Sequence, residues 1–294
     1  MYFCSTFTSL GIMKKFVWVL CTLVVFFMAC TGNKGSESDG EEALQVNQIV
    51  EQSDTLTNED VEEALPARAD ELFDDFMFNY SKDSTVQMRR TSFPLPYFKG
   101  EEKTNIARSD WKKDPMFSDM DFYSVLYNHP SDNQMEKDTA VNRVQMEYLY
   151  LDRMEAKRYH FLRNPKGFWI LYKIVEEPLD EQRDPLEFLQ FYAKFANDSV
   201  FQREHVAERL NFITFDPDDE FRTVECDITV DQWFAFRPDM PKHQLTQVNY
   251  GQSTEGVTDK IINFRSGTTG FNNTLTFKRV EDSWMLTSFE DTSE

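Results

Sequence analysis

The sequence predicts an α+β protein with two tandem units. In each, N-terminal helices pack on a curved antiparallel sheet. Three observations carry this. Aromatic residues recur at i, i+3 and i+7 early in each half, the spacing of one helix face. Runs of period-two alternation close each half, the spacing of half-buried strands. The two halves also align at a shift of 115 residues, which places Trp169 over Trp284.

The helices come first. "FDDFMFNYSKDSTVQ" (73–87) lies over "FLQFYAKFANDSVFQ" (188–202) with five of fifteen positions identical. Phe73, Phe76 and Tyr80 form the apolar stripe in one copy, and Phe188, Phe191 and Phe195 in the other. Ser84-x-x-Gln87 and Ser199-x-x-Gln202 read as capping boxes that end one helix and restart another. The second copy opens with Asp184 as N-cap, Pro185 in the first turn and Glu187 at the third position.

The strands follow. Residues 143–152 precede the pair around "NPKG", and residues 258–265 precede the pair around "VEDS". Each half therefore ends in a three-strand meander after an irregular middle with short strands. "SGTTG" (266–270) reads as a hairpin turn, because it lacks the strand-to-helix setting of a nucleophile elbow or phosphate loop. "DPDDE" (216–220) reads as a solvated turn, since it lacks the Gly and terminal Glu of a calcium loop.

Ahead of these units, Lys14 and Lys15 precede an apolar run of 14 residues, Phe16 to Ala29. A membrane-crossing helix needs about 20. Basic, apolar and small-residue regions in that order are the layout of a signal peptide over residues 1–29, with Met13 the natural start. Cys30 follows Ala29 and the chain turns polar at once, which resembles a bacterial lipobox. Phe27 departs from the Leu usual at that place. This implies a lipid on Cys30, a membrane partner through that lipid, and a home in the bacterial cell envelope, at the outer membrane. An uncleaved anchor and a soluble secreted chain are the alternatives.

Residues 30–66 follow as the lipidated Cys30 plus an acidic tether. From 31 to 66 there are ten Asp or Glu, one Lys and no aromatic residue. Such a stretch buries too little to offset its ordering entropy. It reads as a flexible spacer with transient helix near 41–52 or 58–65. The first unit is then 67–181 and the second 182–294. The whole chain carries a formal charge of −20, which excludes nucleic acid as a partner. Four Cys are present, of which Cys4 and Cys21 precede the cleavage site. Cys226 alternates with Val224, Ile228 and Val230 and is expected to point into the core.

Helices followed by a long curved sheet ending in a meander, over about 115 residues, resemble the nuclear-transport-factor-2-like cone fold. That family includes ketosteroid isomerase, scytalone dehydratase and many non-enzymatic binding modules. Signal, acidic spacer and two such units together resemble an uncharacterised family of bacterial lipoproteins. The resemblance covers residues 67–294 and rests on element order and the 115-residue shift. It implies a sheet bent around helices, with a pocket between them. It also implies that pairing through the sheet, which makes dimers elsewhere in the family, could occur within one chain.

Ketosteroid isomerase works with an Asp base and an oxyanion hole of Tyr and protonated Asp. No position here matches that arrangement, so no catalytic residue is assigned. His129, His205 and His243 have no partner at metal-ligand spacing, and neither metal nor cofactor is expected. Aromatics are the remaining signal, at 15% of the chain. Trp111 and Trp233, and Tyr127 and Tyr250, occupy corresponding middles of the two halves. Tyr148 and His160 lie on strands. These six are the candidate ligand contacts, for a small apolar or glycan ligand. Non-catalytic binding of such a ligand, or of an envelope protein, is the function expected. The alternatives are a lyase or isomerase of the ketosteroid-isomerase type, and a structural interaction protein whose two cores are filled.

Overall fold

The computed structural model describes residues 71–252, 257–266 and 268–294. The stretches expected to be a signal peptide, a lipidated Cys30 and an acidic tether lie outside the described residues. In each half two helices lead, a β-hairpin follows, and a meander closes. The first half runs α1 (Phe73–Lys82), α2 (Ser84–Arg89), β1 (Leu95–Lys99), β2 (Glu102–Ile106), β3 (Tyr123–Tyr127), β4 (Arg143–Tyr150), β5 (Glu155–Arg163) and β6 (Trp169–Pro178). The second runs α3 (Leu186–Asn197), α4 (Ser199–Glu204), β7 (Val206–Asp216), β8 (Asp219–Ile228), α5 (Val230–Phe236), β9 (Gln244–Asn249), β10 (Asp259–Arg265), β11 (Asn272–Val280) and β12 (Ser283–Asp291). The α+β class and the two helix-on-sheet units hold. Each sheet is mixed, however, because β1 runs parallel to β6 and β7 parallel to β12.

Two six-stranded sheets result, ordered β2-β1-β6-β5-β4-β9 and β3-β10-β11-β12-β7-β8. Each takes its last strand from the other half. β9 lies antiparallel to β4, with Met146 opposite Val248, and β3 lies antiparallel to β10, with Leu126 opposite Ile262. Both β3 and β9 are therefore edge strands, and an open edge leaves backbone groups unpaired. They cover each other. Ser124 N donates to Thr246 Oγ1 at 2.7 Å and Thr246 N donates to Ser124 Oγ at 2.8 Å. Gln247 does the same for the next residue, accepting from Leu126 N at 2.6 Å and donating to its carbonyl at 2.9 Å. Side chains thus close two sheet edges that have no further strand to pair with.

Two main cores form. The first, under α1, gathers Phe73, Phe76 and Tyr80 with Phe161, Trp169 and Leu171, and borrows Val248 and Tyr250 from the second half. The second, under α3, gathers Phe188, Tyr192 and Phe195 with Phe277, Trp284 and Phe289, and borrows Leu126, Leu149 and Leu151 from the first. The aromatic stripes face inward as their spacing predicts. Trp169 is the first residue of the last strand of its meander and Trp284 the second of its own.

Three local expectations are corrected. The helix restart is capped by Asp83 and Asp198, not by the serines. Asp83 Oδ1 accepts from Thr85 N at 2.7 Å, and Asp198 Oδ1 from Val200 N at 2.9 Å. Gln87 and Gln202 are consequently one place too far along for a capping box. Both are buried instead: Gln87 pairs twice with the backbone of Asp114, and Gln202 donates to Phe195 O and accepts from Arg237. At the start of α3 the N-cap position is Pro185, and Asp184 turns its carboxylate to Arg158. Cys226 is exposed: β8 is an edge strand, and from Phe221, at 89%, to Asp227 each of its residues is exposed. Replacing Asp83 or Asp198 by Ala should cost about 1 kcal/mol each, while Ser84→Ala and Ser199→Ala should change denaturant midpoints little; equal losses at Ser and Asp would contradict the cap assignment.

Candidate functional site

A cavity of about 190 Å³ opens between one side of α1, the 3-10 turn Met116–Asp119, β4 and β9. Its apolar wall is Phe73, Met77, Phe117, Met146 and Val248; Asp74, Ser81 and Ser118 add polar atoms. An engineered apolar cavity of about 150 Å³ takes benzene. This one therefore suits a ring of that size, or the end of a longer molecule.

The turn carrying Phe117 is fixed from behind. Asp114 accepts from Met116 N at 3.0 Å and from the Tyr159 hydroxyl at 2.5 Å, while Gln87 holds the Asp114 backbone. Met116 takes a left-handed φ of 52°, uncommon for a residue with a side chain. Phe117 then stacks on Tyr123 at 5.6 Å and meets the edge of Tyr148 at 5.3 Å.

Beside the cavity lies a charged network joining both halves. Tyr250 donates to Asp74 Oδ1 at 2.6 Å and Tyr127 to Glu136 Oε1 at 2.5 Å. Arg265 grips Glu136 with two bonds of 2.8 and 2.9 Å and stands 3.9 Å from Asp74 Oδ2. Burial pushes the Asp74 carboxyl above its usual range, against the lowering effects of the Tyr250 hydrogen bond and the Arg265 charge. Its side chain keeps 43% of its surface, so the neighbourhood raises it without sealing it from solvent. Burial also pushes both tyrosine hydroxyls up, helped by the carboxylates they face. They stay protonated and remain donors.

Of the six candidate contacts, Tyr127 and Tyr250 meet in this network, and Tyr148 packs under Phe117. The other three lie elsewhere. Trp111 packs at the edge of the first core, 6.0 Å from Phe93. Trp233 is wholly enclosed in the second core against Phe289. His160 sits on the outer face of the first sheet, where burial holds its pKa well below the usual value. Asp74, Arg265, Glu136, Met77 and Phe117 escaped the sequence reading. Asp74 stands next to the aromatic stripe, a position that hinted at a cavity edge. Arg265 meets its partners only through the exchanged strand β3.

A larger polar groove, about 520 Å³, lies by the start of α3, lined by Arg183, Glu187, Lys260 and Arg279. Its charges already answer one another, as in Arg279–Glu187 at 2.8 Å, so it offers a ligand less. Among the described residues no group of His, Cys, Asp and Glu is placed to hold a metal ion. Nor is any described helix long and apolar enough to cross a membrane.

Comparison with known proteins agrees with this architecture. A crystal structure of an NTF2-like protein from Bacteroides fragilis NCTC 9343 superposes with a TM-score of 0.72. The two are 38% identical, over 78% of this chain and 100% of that one. No curated protein matches the chain. The family described as a domain of unknown function, DUF4348, matches residues 52–291. The chain belongs to that family, and its fold is NTF2-like.

Proposed function

We propose that the chain is a cell-envelope lipoprotein of two tandem cone units, and that the cavity beside α1 binds a small, mainly apolar ligand without chemical change. The observation that carries the binding is that apolar cavity with a carboxyl at its rim. The ligand lays a ring or short chain against Phe73, Met77 and Met146. Its polar end meets Asp74, which accepts a hydrogen bond when ionised and also donates one when protonated.

Fragments of about 6–10 heavy atoms, indole and phenol among them, should shift the methyl resonances of Met77 and Met146. At 100 times Kd they should stabilise the fold by about 2.7 kcal/mol. Met77→Trp, on the half-buried wall of the helix, should fill the space and remove both effects. Fragments that leave these methyls unmoved, or bind Met77→Trp equally, would sink the proposal.

The envelope placement rests on the Lys14–Lys15, Phe16–Ala29 and Cys30 sequence. Intact mass of the mature chain tests it: a start at Cys30 with an added lipid supports it, and an unmodified start after residue 30 removes it.

A second reading, acid–base chemistry, is favoured by the raised Asp74 carboxyl with a tyrosine at 2.6 Å. Carbon-13 titration of Asp74 decides whether it stands. A midpoint in the ordinary aspartate range would remove it.

A further inference from the structure

The charges at the rim of the polar groove by α3 answer one another, but its floor holds one that does not. Lys260 lines this groove of about 520 Å³ together with Leu186, Phe188 and Trp284. It stands on the core side of β10, two places before Ile262 and four before Phe264, both wholly buried. At 7% exposure it is the one lysine buried among the described residues. Its ammonium meets no carboxylate at ion-pair distance among them. Nζ donates instead to the neutral Asn128 Oδ1, at 2.5 Å. Beside it the indole N–H of Trp284, a residue 4% exposed, is buried with no hydrogen-bond partner.

A buried charge is ordinarily paired, because leaving water costs it dearly. Here the cost falls on the protonated form. Burial pushes the Lys260 ammonium down to about 8 from 10.5, against the raising effect of Asp132. About half of it is then neutral at pH 8, against roughly 0.3% of an ordinary lysine. A neutral amine keeps the Asn128 bond through one N–H and still presents its lone pair. Desolvation of this kind is how lysines become nucleophiles.

The groove also says what such an amine would meet. Glu181, Asp184 and Glu187 line it against Arg183, Lys260 and Arg279, so its formal charges cancel. An anion gains nothing by entering, whereas a neutral polar molecule is not repelled. What a neutral molecule offers an amine is a carbonyl carbon, and its polar groups find a free donor in the Trp284 indole.

We propose that this groove is a covalent site, in which Lys260 Nζ forms an imine with a small, neutral, polar aldehyde. The nitrogen lone pair adds to the carbonyl carbon, and a proton passes from nitrogen to the oxygen. The carbinolamine then expels that oxygen as water and leaves a C=N bond. Amine and aldehyde give imine and one water, with no oxidant or reductant consumed. The capture is reversible, since water restores both partners.

Glycolaldehyde with cyanoborohydride, which reduces the imine to a stable amine, tests this on the full chain at pH 8. Peptide mapping reads each lysine. Lys260 should be labelled at least about tenfold faster than the exposed Lys278 on the neighbouring strand. A lysine that only closes the end of a core would be among the slowest, so labelling of Lys260 no faster than Lys278 would overturn the proposal. Lys260→Met keeps an apolar stem of similar length and should abolish the fast phase; a fast phase that persists would place the reactive amine elsewhere. Asn128→Asp sets a carboxylate against Nζ and holds it charged. It should slow labelling of Lys260 about tenfold or more and leave Lys278 unchanged; equal rates in the two chains would contradict the role given to the unpaired amine.

Discussion

Arg158→Met should cost about 3–5 kcal/mol of stability, the loss expected when a buried ion cluster is left with uncompensated charge. Arg158 is 4% exposed and holds three carboxylates from separate parts of the chain. Its guanidinium reaches Glu177 on β6 and Asp184 before α3 at 2.6 Å each, and Glu147 on β4 at 3.5 Å. The cluster therefore ties the first sheet to the opening of the second half. Removing the cation leaves Glu147 and Asp184 buried with no answering charge. Against a total stability of about 5–15 kcal/mol, such a loss brings many domains near unfolding at ambient temperature. Urea melts read it, and a loss below about 0.5 kcal/mol would contradict the cluster's importance.

The same cluster sets a pH dependence. Burial pushes Glu147 up to about 7 from 4.5, against the lowering effect of Arg158. A carboxyl raised in the folded state binds its proton more tightly there than in the unfolded chain. Its contribution is full below pH 4.5 and is lost as pH rises through about 7. Relative to Glu147→Gln, the wild-type chain should lose on the order of 3 kcal/mol across that window. Parallel stability profiles for the two would show that Glu147 titrates normally.

The exchange of β3 and β9 carries the second large expectation. Residues 67–181 and 182–294, made separately, should not fold as monomers. The first piece would lack β9, and with it Val248 and Tyr250 of its own core and the hydroxyl that bonds Asp74. The second would lack β3 and the Leu126, Leu149 and Leu151 that enter its core. Each would also expose a sheet edge, β4 in one and β10 in the other, a ready template for self-association. Mixed, the two should form a one-to-one complex with a single cooperative melt. Stable monomeric halves, each melting cooperatively alone, would contradict the interlock.

Much of the fold was legible because its signals are local. The stripe Phe73–Phe76–Tyr80 and the alternation around "NPKG" need only their own neighbours to be read. Asp83 was passed over for Ser84 because both are good caps and one residue separates them; only the helix phase, fixed by packing, decides. Cys226 alternates like a core residue, but alternation cannot tell an inner strand from an edge. The exchange was illegible for the same reason: β3 and β9 carry sequences that would pair with either meander. The candidate site inherits that limit. Tyr127 and Tyr250 stood out as corresponding aromatics. Their partners Glu136, Asp74 and Arg265 come together only once the strands have crossed.

One measurement tests the interlock most directly: nuclear Overhauser contacts between opposed strands of the native chain in solution. The exchanged arrangement predicts cross-strand signals between Met146 and Val248 and between Leu126 and Ile262. Signals joining β3 to β4 and β9 to β10 instead would mean that each half completes its own sheet, and the interlocked architecture would be wrong.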